Sequence, residues 1–584
     1  MKGSSTGSAD LLRAAVILAA GIAAWSNSFD CSFHFDDFPN IVSNPAIADL
    51  FNWKAWMLFN PLRPVAFFTF ALNYHFSRFD VFGYHLFNFG IHLANSFLVW
   101  LLIKLLFKTP RLTHHPLAAS AGSIAFFSAL LFMVHPLMTE SVTYIVQRLV
   151  SLSFMFSLLS LTAFIKGLLV RPARSSCLYL LFSALAAVLG FFTKETTWIL
   201  PVLMLMVYFF FFFRRTSSSL LPGVVIISLM FILLSVLVLV VLGSGKYFSP
   251  IPPREGHPYT ITPGSYFMTQ VNILPVYLRL MLLPVKQTLD YNYPMTLSLT
   301  GLQSLLSLAL LLLILILALL VYKKDRLFTF GIFWFFITIS PQVLVPRSNF
   351  IFEHRAYPSV FGFILVWVLL LFYCFGKVAV LRQAPEAGSE TRKILLSLAG
   401  LLIIVQCAVF GVMTRERNKI WKDEYSLWSD CLLKAPGSAR AMANLGAEQV
   451  NRQEYLAAIT NLDRAIMIFP LYLQAWNSRA AARISINENE TAVRELDFVI
   501  HQDPRFHDAY INRNIAFRNL KQYQASVQDL TFAISLRPGR SDSYFQRGLS
   551  LWMDGRNEAA LKDMLQAAEM KNQDAVRFLQ MYSQ

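Results

Sequence analysis

Cysteine is scarce in this chain: its 584 residues contain only five, and none of them forms a C-x-x-C pair. The closely spaced thiolates that zinc sites need are therefore missing. Charged residues make up only 14% of the chain. The sequence also lacks a G-x-G-x-x-G or Walker motif that would offer a nucleotide site. Together these shortages argue against a soluble nucleotide-dependent enzyme.

Apolar residues are abundant instead, at 56% of the chain with 52 Phe. Several apolar runs reach or approach the roughly 20 residues that cross a bilayer. The sequence therefore predicts an all-α, polytopic membrane helical bundle. The first run lacks an A-x-A-like cleavage site, and we expect it to remain as an anchor. Eleven spans are predicted near residues 11–27, 82–107, 117–135, 142–169, 176–192, 196–213, 220–243, 301–322, 327–345, 356–376 and 393–413.

The net charge of +16 comes from Lys and Arg that cluster at the ends of the apolar runs. That distribution is typical of the positive-inside rule, and no nucleic-acid partner is expected. Clusters such as 104–111 and 323–326 fall on one side, which we interpret as cytoplasmic. The loop 28–81 and the C-terminus then lie outside. The apolar stretch 266–284 carries Asn272, Pro275 and Arg279, and we interpret it as interfacial or re-entrant.

The last part of the chain is a repeat array. Pro436, Pro470, Pro504 and Pro538 recur at intervals of 34 residues, the tetratricopeptide period. Small residues recur with them and allow paired helices to pack closely, for example Ala458, Ala492, Ser526 and Ala560. We therefore predict two domains, a transmembrane domain at 1–413 and a tetratricopeptide-repeat α-solenoid at 414–584. The concave surface of such a solenoid typically holds a peptide or a protein.

Two adjacent carboxylates, Asp36 and Asp37, stand between aromatic residues in the first outer loop. An ionisable group near lipid must be paired, solvated or functional. A solvated loop, a helix cap and a catalytic pair all remain open for these residues. The same loop predicts interfacial helices near 47–58 and 62–79, where Trp53 and Trp56 would sit at the membrane surface.

Further polar residues stand in the outer loops and near the outer ends of the spans. A buried polar seam explains His85, Asn88 and His92 better than a metal site, because Asn is a poor ligand for transition metals. A plain ion pair would explain Lys194 and Glu195. A guanidinium near the membrane boundary needs a carboxylate, a lipid headgroup or a phosphate. The candidate site residues are Arg63, His85, His135, Glu140, Arg148, Lys194, Glu195, Glu353 and Arg355.

This set of groups fits transfer from a lipid-linked donor. Cations would hold a lipid phosphate, and a carboxylate would take the proton of an acceptor hydroxyl. Two other functions remain open. A non-catalytic docking scaffold would use the repeats alone. A related enzyme would transfer a sugar from the lipid-linked donor to an envelope glycan or lipid.

The chain resembles the GT-C membrane glycosyltransferases, and specifically the transmembrane and tetratricopeptide-repeat O-mannosyltransferases with their bacterial relatives. The resemblance covers nearly the whole chain, although members of that family often carry longer repeat arrays. The matching stretches are Asp36-Asp37, Arg63-Pro64, Tyr84-His85 with Asn88 and His92, His135-Pro136 with Thr139-Glu140, Gln147-Arg148, Lys194-Glu195, Glu353 to Ser359 and the repeats.

The resemblance implies an inverting transferase that moves a sugar from a polyprenyl-phosphate donor to a Ser or Thr hydroxyl of a protein. By similarity Asp36 is the general base, and Asp37 supports it or helps to position a divalent metal. Arg148, Lys194 and Arg355 are by similarity candidates for the donor phosphate. The expected location is the cytoplasmic membrane, or the endoplasmic reticulum in a eukaryote, with the active site and repeats extracytoplasmic. Cys31 and Cys431 would then share one side and could pair.

Overall fold

The structure, a computed structural model, describes residues 3–170, 172–213, 250–253, 259–381 and 388–582. Every regular element in these residues is a helix, and β pairing among them is limited to one bridge between Ile251 and Ile261. The predicted all-helical fold, with a membrane helix bundle followed by a repeat solenoid, is confirmed. The chain divides into two compact units, Met1–Pro252 with Thr260–Leu427, and Trp428–Gln584 with Pro253–Tyr259.

The first unit contains the membrane helices. Nine helices of the described residues are long and apolar enough to cross a membrane, and a bent pair makes a tenth if it counts as one span. These ten match ten of the predicted spans, and the predicted span at 220–243 lies outside the described residues. The α-helices of this unit are Gly3–Trp25, Trp53–Phe59, Pro64–Ser77, Val81–Leu106, Ala121–Val134, Thr139–Val142, Arg148–Leu169, Ala173–Phe191, Leu200–Val207, Pro263–Leu282, Leu302–Val321, Arg326–Leu344, Tyr357–Leu381 and Gly388–Ile420.

The bend in the broken span has a local cause. The segments Ala118–Val134 and Pro136–Val142 meet at 54° around His135. Proline disfavours a helical conformation in the residue before it, and His135 is extended, with ψ of 124°. Nδ1 of His135 then accepts the N–H of Leu137 at 3.1 Å and caps the next turn. The break turns the chain so that Glu140 faces the segment Glu353–Ala356, which it contacts through His354.

The first outer loop contains the predicted helical segments. Asn44 accepts the N–H of Ala46 at 3.0 Å ahead of the turn Pro45–Ile47, as expected for an N-cap followed by proline. The helix Trp53–Phe59 follows, and then Pro64–Ser77. The predicted helices are therefore present, although the first is shorter than predicted. Their place at a membrane interface stays a prediction.

The second unit is built from paired helices. They are Ala439–Asn451 with Tyr455–Ile468, Leu473–Ser485 with Asn489–Gln502, His507–Asn519 with Tyr523–Leu536, Ser541–Met553 with Asn557–Glu569, and the last helix Gln573–Tyr582. Each pair turns at a residue of positive φ, namely Gln453, Asn487, Lys521 and Gly555, again 34 residues apart. Close packing requires the glycine at 446, because a Cβ there would lie 2.7 Å from Cγ of Leu462. The 34-residue period thus appears in both the turns and the packing.

The boundary predicted between residues 413 and 414 falls inside a continuous helix. Gly388–Ile420 runs through it, and the two compact units divide between Leu427 and Trp428, inside the next helix, Glu424–Lys434. The apolar part of Gly388–Ile420 ends near residue 413, several residues before the helix itself ends. Cys31 and Cys431 are both buried, and in the described residues no disulfide joins them.

Candidate functional site

The loop that carries the acidic pair is held in a tight conformation. Phe35 has a φ of 38°, which is unusual for a bulky residue. The Asp37 carboxylate accepts the N–H of His34 at 2.9 Å and that of Val146 at 2.7 Å. Complete burial raises the pKa of Asp37 to about 7 in spite of these two donors. Asp37 therefore fixes the loop against the residues that precede helix Arg148–Leu169.

His34 holds the other side of the loop. Its Nε2 lies 2.6 Å from the Trp421 carbonyl and its Nδ1 lies 3.2 Å from Oε1 of Glu424. Burial acts to lower the pKa of His34, but the hydrogen bond and charge of Glu424 outweigh it, so the pKa lies above its ordinary value. The same Glu424 oxygen accepts the N–H of Phe35 at 3.0 Å. The loop is thus fastened to the segment that follows the last span.

Asp36 lines a polar cavity of about 160 Å³. Its backbone N–H donates to the Tyr144 hydroxyl at 2.7 Å. The charged and polar residues that share this lining are Asn40, Arg63, Gln147, Lys194, Gln342, Arg347, His354 and Arg355. Three predicted site residues, Arg63, Lys194 and Arg355, therefore meet Asp36 at one place.

Four cations line the cavity, and one buried carboxylate organises two of them. The Glu195 carboxylate accepts hydrogen bonds from Nε of Arg63 at 2.9 Å and from a terminal nitrogen of Arg63 at 2.7 Å. A terminal nitrogen of Arg347 lies 3.7 Å from the same carboxylate. Burial, followed by the nearby Arg63, lowers the pKa of Lys194 well below its usual range. Burial and the neighbouring Arg355 likewise lower the pKa of Arg347. In both residues burial has the larger effect and a neighbouring cation adds to it, so an anion in the cavity would be stabilised.

Arg355 points into the same region from the turn Glu353–Ala356. One of its terminal nitrogens donates to the Asn349 carbonyl at 2.6 Å, and its guanidinium lies 5.0 Å from the centre of the Phe352 ring. These contacts fix the direction of the side chain. A guanidinium held in this way can bind an oxyanion without first losing rotamer freedom.

The structure does not bring Arg148 to the cavity. Nε of Arg148 donates to Oδ1 of Asn88 at 2.6 Å, and its terminal nitrogens donate to the carbonyls of Thr69 at 3.2 Å and Tyr84 at 3.1 Å. The rings of Phe70 and Phe87 cover the guanidinium at 4.8 and 4.5 Å. These partners satisfy a fully buried cation, so Arg148 has a structural place rather than the expected place at a phosphate.

The two predicted histidines lie outside the cavity lining, and each bonds a backbone carbonyl. His85 bonds the Cys31 carbonyl at 2.9 Å, close to the acidic loop, and His135 bonds the Met281 carbonyl at 2.9 Å. His92 bonds the Tyr357 hydroxyl at 2.8 Å in the same seam as Asn88. No group of three or more metal-ligating side chains occurs in the described part of the chain.

Two buried glutamates position the turn that carries Arg355. Glu353 accepts hydrogen bonds from the Gln287 amide at 2.7 Å, the Thr288 N–H at 3.0 Å and the Tyr291 hydroxyl at 2.6 Å. Glu140 binds His354 through both the backbone N–H and the ring. Sequence reasoning did not select Asn40, Gln147, Gln342, Arg347 or His354 for the site. For His354 a hint was available, since it lies inside the matching stretch from Glu353 to Ser359.

No family model matches the chain. Among curated proteins, one named protein O-mannosyl-transferase F38B6.6 from Caenorhabditis elegans is 25% identical over 500 residues, covering 81% of this chain and 64% of that protein. Mouse protein O-mannosyl-transferase TMTC3 is 22% identical over 492 residues, covering 78% of this chain and 51% of its own length. Human protein O-mannosyl-transferase TMTC4 is 30% identical over 201 residues, 31% of this chain and 27% of its own length.

The resemblance to the transmembrane and tetratricopeptide-repeat O-mannosyltransferases is thereby confirmed. The chain spans between about a quarter and two thirds of the length of these relatives. Among solved structures, MamA from Desulfovibrio magneticus RS-1 is 16% identical and has a TM-score of 0.24, covering 29% of this chain and 92% of its own.

Proposed function

We propose that this protein transfers a sugar, mannose or a similar hexose, from a polyprenyl-phosphate donor to Ser or Thr hydroxyls of exported proteins. The observation that carries the proposal is that Asp36, Arg63, Lys194, Arg347 and Arg355 line one and the same cavity. The names of the relatives support mannose as the sugar and a protein as the acceptor.

The chemistry follows from the two kinds of group in the cavity. Asp36 takes the proton of the acceptor hydroxyl as its oxygen bonds to the anomeric carbon. The bond from that carbon to the phosphate oxygen breaks, and its electron pair stays on the phosphate. The cations, led by Lys194 and Arg355, stabilise the charge that develops there. One displacement from the face opposite the phosphate inverts the anomeric centre.

The size of the cavity fits the charged end of such a donor. Its volume of about 160 Å³ is below the roughly 300–1,000 Å³ of pockets that enclose a whole drug-sized ligand. The donor phosphate would occupy it with part of the sugar, while the lipid chain stays in the bilayer. In the same proposal the repeats engage the protein acceptor, as solenoids of this kind engage peptides.

Mass spectrometry of exported glycoproteins tests this proposal in cells. Deleting the gene should remove a hexose from Ser or Thr sites, and the wild-type gene should restore it. Loss of sugar from an envelope glycan or lipid alone would reject the protein acceptor. Unchanged glycans together with mislocalised proteins would favour a docking scaffold.

The proposal requires the acidic loop and the repeats to lie on the extracytoplasmic side. The alternation of basic clusters along the sequence supports that orientation. A reporter that is active only in the cytoplasm should stay silent when fused after Gln584, and the same reporter fused before Met1 should be active. Activity of the C-terminal fusion would show that the repeats face the cytoplasm. The acidic loop would then lie on the opposite side from the one that the proposal requires.

Replacing Arg355 by Ala should weaken donor binding. A charge-assisted hydrogen bond contributes about 1.5–3 kcal/mol, so Kd for a polyprenyl-phosphate sugar should rise about 10- to 150-fold. Arg355→Lys should remain impaired, because an ammonium lacks the planar fork of a guanidinium. The matched control is Arg279→Ala, which removes an exposed arginine of the same unit. An unchanged Kd in Arg355→Ala would remove this residue from the phosphate site.

A further inference from the structure

His354 is held from two directions by one carboxylate. Oε2 of Glu140 accepts the backbone N–H of His354 at 3.0 Å, and Oε1 lies 2.8 Å from Nδ1 of its ring. The ring also stacks on Phe352, with centroids 5.2 Å apart and 25° between the planes. Glu140 and His354 are both almost completely buried. The direction of the imidazole is therefore fixed.

The proton shared with Glu140 determines what the other ring nitrogen can do. Since Nδ1 faces a carboxylate, it carries a proton, and Nε2 is the nitrogen left for other partners. His354 lines the cavity that contains Asp36. Among the residues that the structure describes, Nε2 has no hydrogen-bond partner. One proton added to the Glu140–His354 pair would therefore make Nε2 a donor at the cavity.

The ring lies on the cationic side of the site. The charged and titratable groups around the pair are Glu140 from Thr139–Val142, Lys194 from the loop before Glu195–Ile199, Arg347 from the loop after Arg326–Leu344, Arg417 from Gly388–Ile420, the chain neighbours Glu353 and Arg355, and Asp36 on the cavity lining. Three of these groups are the cations that would hold a donor phosphate. Nε2 is thus placed to reach the phosphate rather than to replace Asp36 as the base.

We infer that the Glu140–His354 pair gives a proton to the departing phosphate. This inference rests on the proposed function. In this step His354 is a second catalytic residue beside Asp36, because its Nε2 would touch the phosphate, and Glu140 is a positioning residue that acts through it.

The step is balanced in protons and electrons. As the bond between the anomeric carbon and the bridging oxygen breaks, its electron pair moves to that oxygen and the Nε2 proton goes to the phosphate. The acceptor proton goes to Asp36. After the products leave, Asp36 loses its proton to water and Nε2 regains one, so no other reactant is required. The phosphate monoester that departs as a dianion binds a proton near about pH 6, so it can accept one from the pair.

The alternative is that Glu140 and His354 only hold the turn that carries Arg355. The two accounts differ in the pH dependence of kcat, measured with the full-length protein, a synthetic polyprenyl-phosphate mannose and a Ser/Thr peptide. If His354 is an acid, wild-type kcat falls on the alkaline side as the pair loses its proton. A wild-type kcat that stays level from pH 6 to 9 overturns the inference without any variant.

Two variants separate the roles further. His354→Gln should lower kcat by about 100-fold or more and abolish the alkaline fall, while Kd for the donor changes less than about 3-fold. Glu140→Gln should move the alkaline fall to lower pH, because the imidazolium loses its supporting carboxylate. The exposed His75 provides the control, and His75→Gln should leave both kcat and its pH profile unchanged.

Two results would overturn the assignment. The first is a His354→Gln variant that is slow but keeps the wild-type alkaline fall, which indicates a structural role. The second is a variant that loses donor affinity at unchanged kcat, which indicates a phosphate ligand without proton transfer. Wild-type protein that transfers no sugar at any pH contradicts the proposed function itself, and the two failures are therefore distinguishable.

Discussion

Replacing Asp36 by Asn is expected to lower kcat by about two to four powers of ten, the usual contribution of a general base. Asn keeps the size of the side chain and removes its basicity, and a Ser or Thr hydroxyl is a poor nucleophile until its proton is taken. The surrounding loop should stay folded, because Asp37 and His34 make the bonds that hold it. Donor affinity should therefore stay within a few-fold of wild type.

Asp30 offers a matched control for this substitution. It is an exposed carboxylate of the same loop, and Asp30→Asn should leave kcat unchanged. The measurement is kcat for transfer from polyprenyl-phosphate mannose at saturating donor and saturating peptide. Near-normal turnover of Asp36→Asn would make the acidic pair a structural feature of the loop.

Replacing Arg148 by Ala is expected to destabilise the membrane unit rather than to weaken donor binding. The change leaves the buried acceptors of Asn88, Thr69 and Tyr84 without their donor, at a cost of about 1–3 kcal/mol for each unsatisfied group. It also removes the cation that packs against Phe70 and Phe87. The free energy of unfolding should fall by about 3 kcal/mol or more.

Thermal unfolding of the purified protein in detergent measures this effect. Tm should drop markedly in Arg148→Ala and stay near wild type in the exposed-residue control Arg279→Ala. The fraction of Arg148→Ala that remains folded should bind the donor with wild-type affinity. A normal Tm with lost donor affinity would instead return Arg148 to the phosphate site.

The helices were predictable because their causes are local. A long apolar run predicted the span near 82–107, and the helix is Val81–Leu106. The 34-residue period of Pro436 and its equivalents predicted the paired helices of the repeats. The boundary at 413 stays a prediction: composition marks the end of the apolar surface there, and the helix Gly388–Ile420 continues past it.

The site was less predictable because its contacts join distant parts of the chain. Arg148 and Arg355 look alike in sequence, as guanidiniums near span ends. They differ only because Asn88 and the Thr69 and Tyr84 carbonyls enclose Arg148. Similarly, 214 residues separate Glu140 from His354, and no spacing rule links them.

Transfer by purified protein tests the central claim most directly. Full-length wild type in detergent or nanodiscs receives synthetic polyprenyl-phosphate mannose with the sugar in the β configuration, a Ser/Thr peptide and no nucleotide sugar. The account predicts a peptide that carries a single α-linked hexose, formed by wild type and about 100-fold or more slowly by Asp36→Asn. No transfer by well-folded wild type to any exported Ser/Thr peptide, or equal transfer by Asp36→Asn, would contradict it.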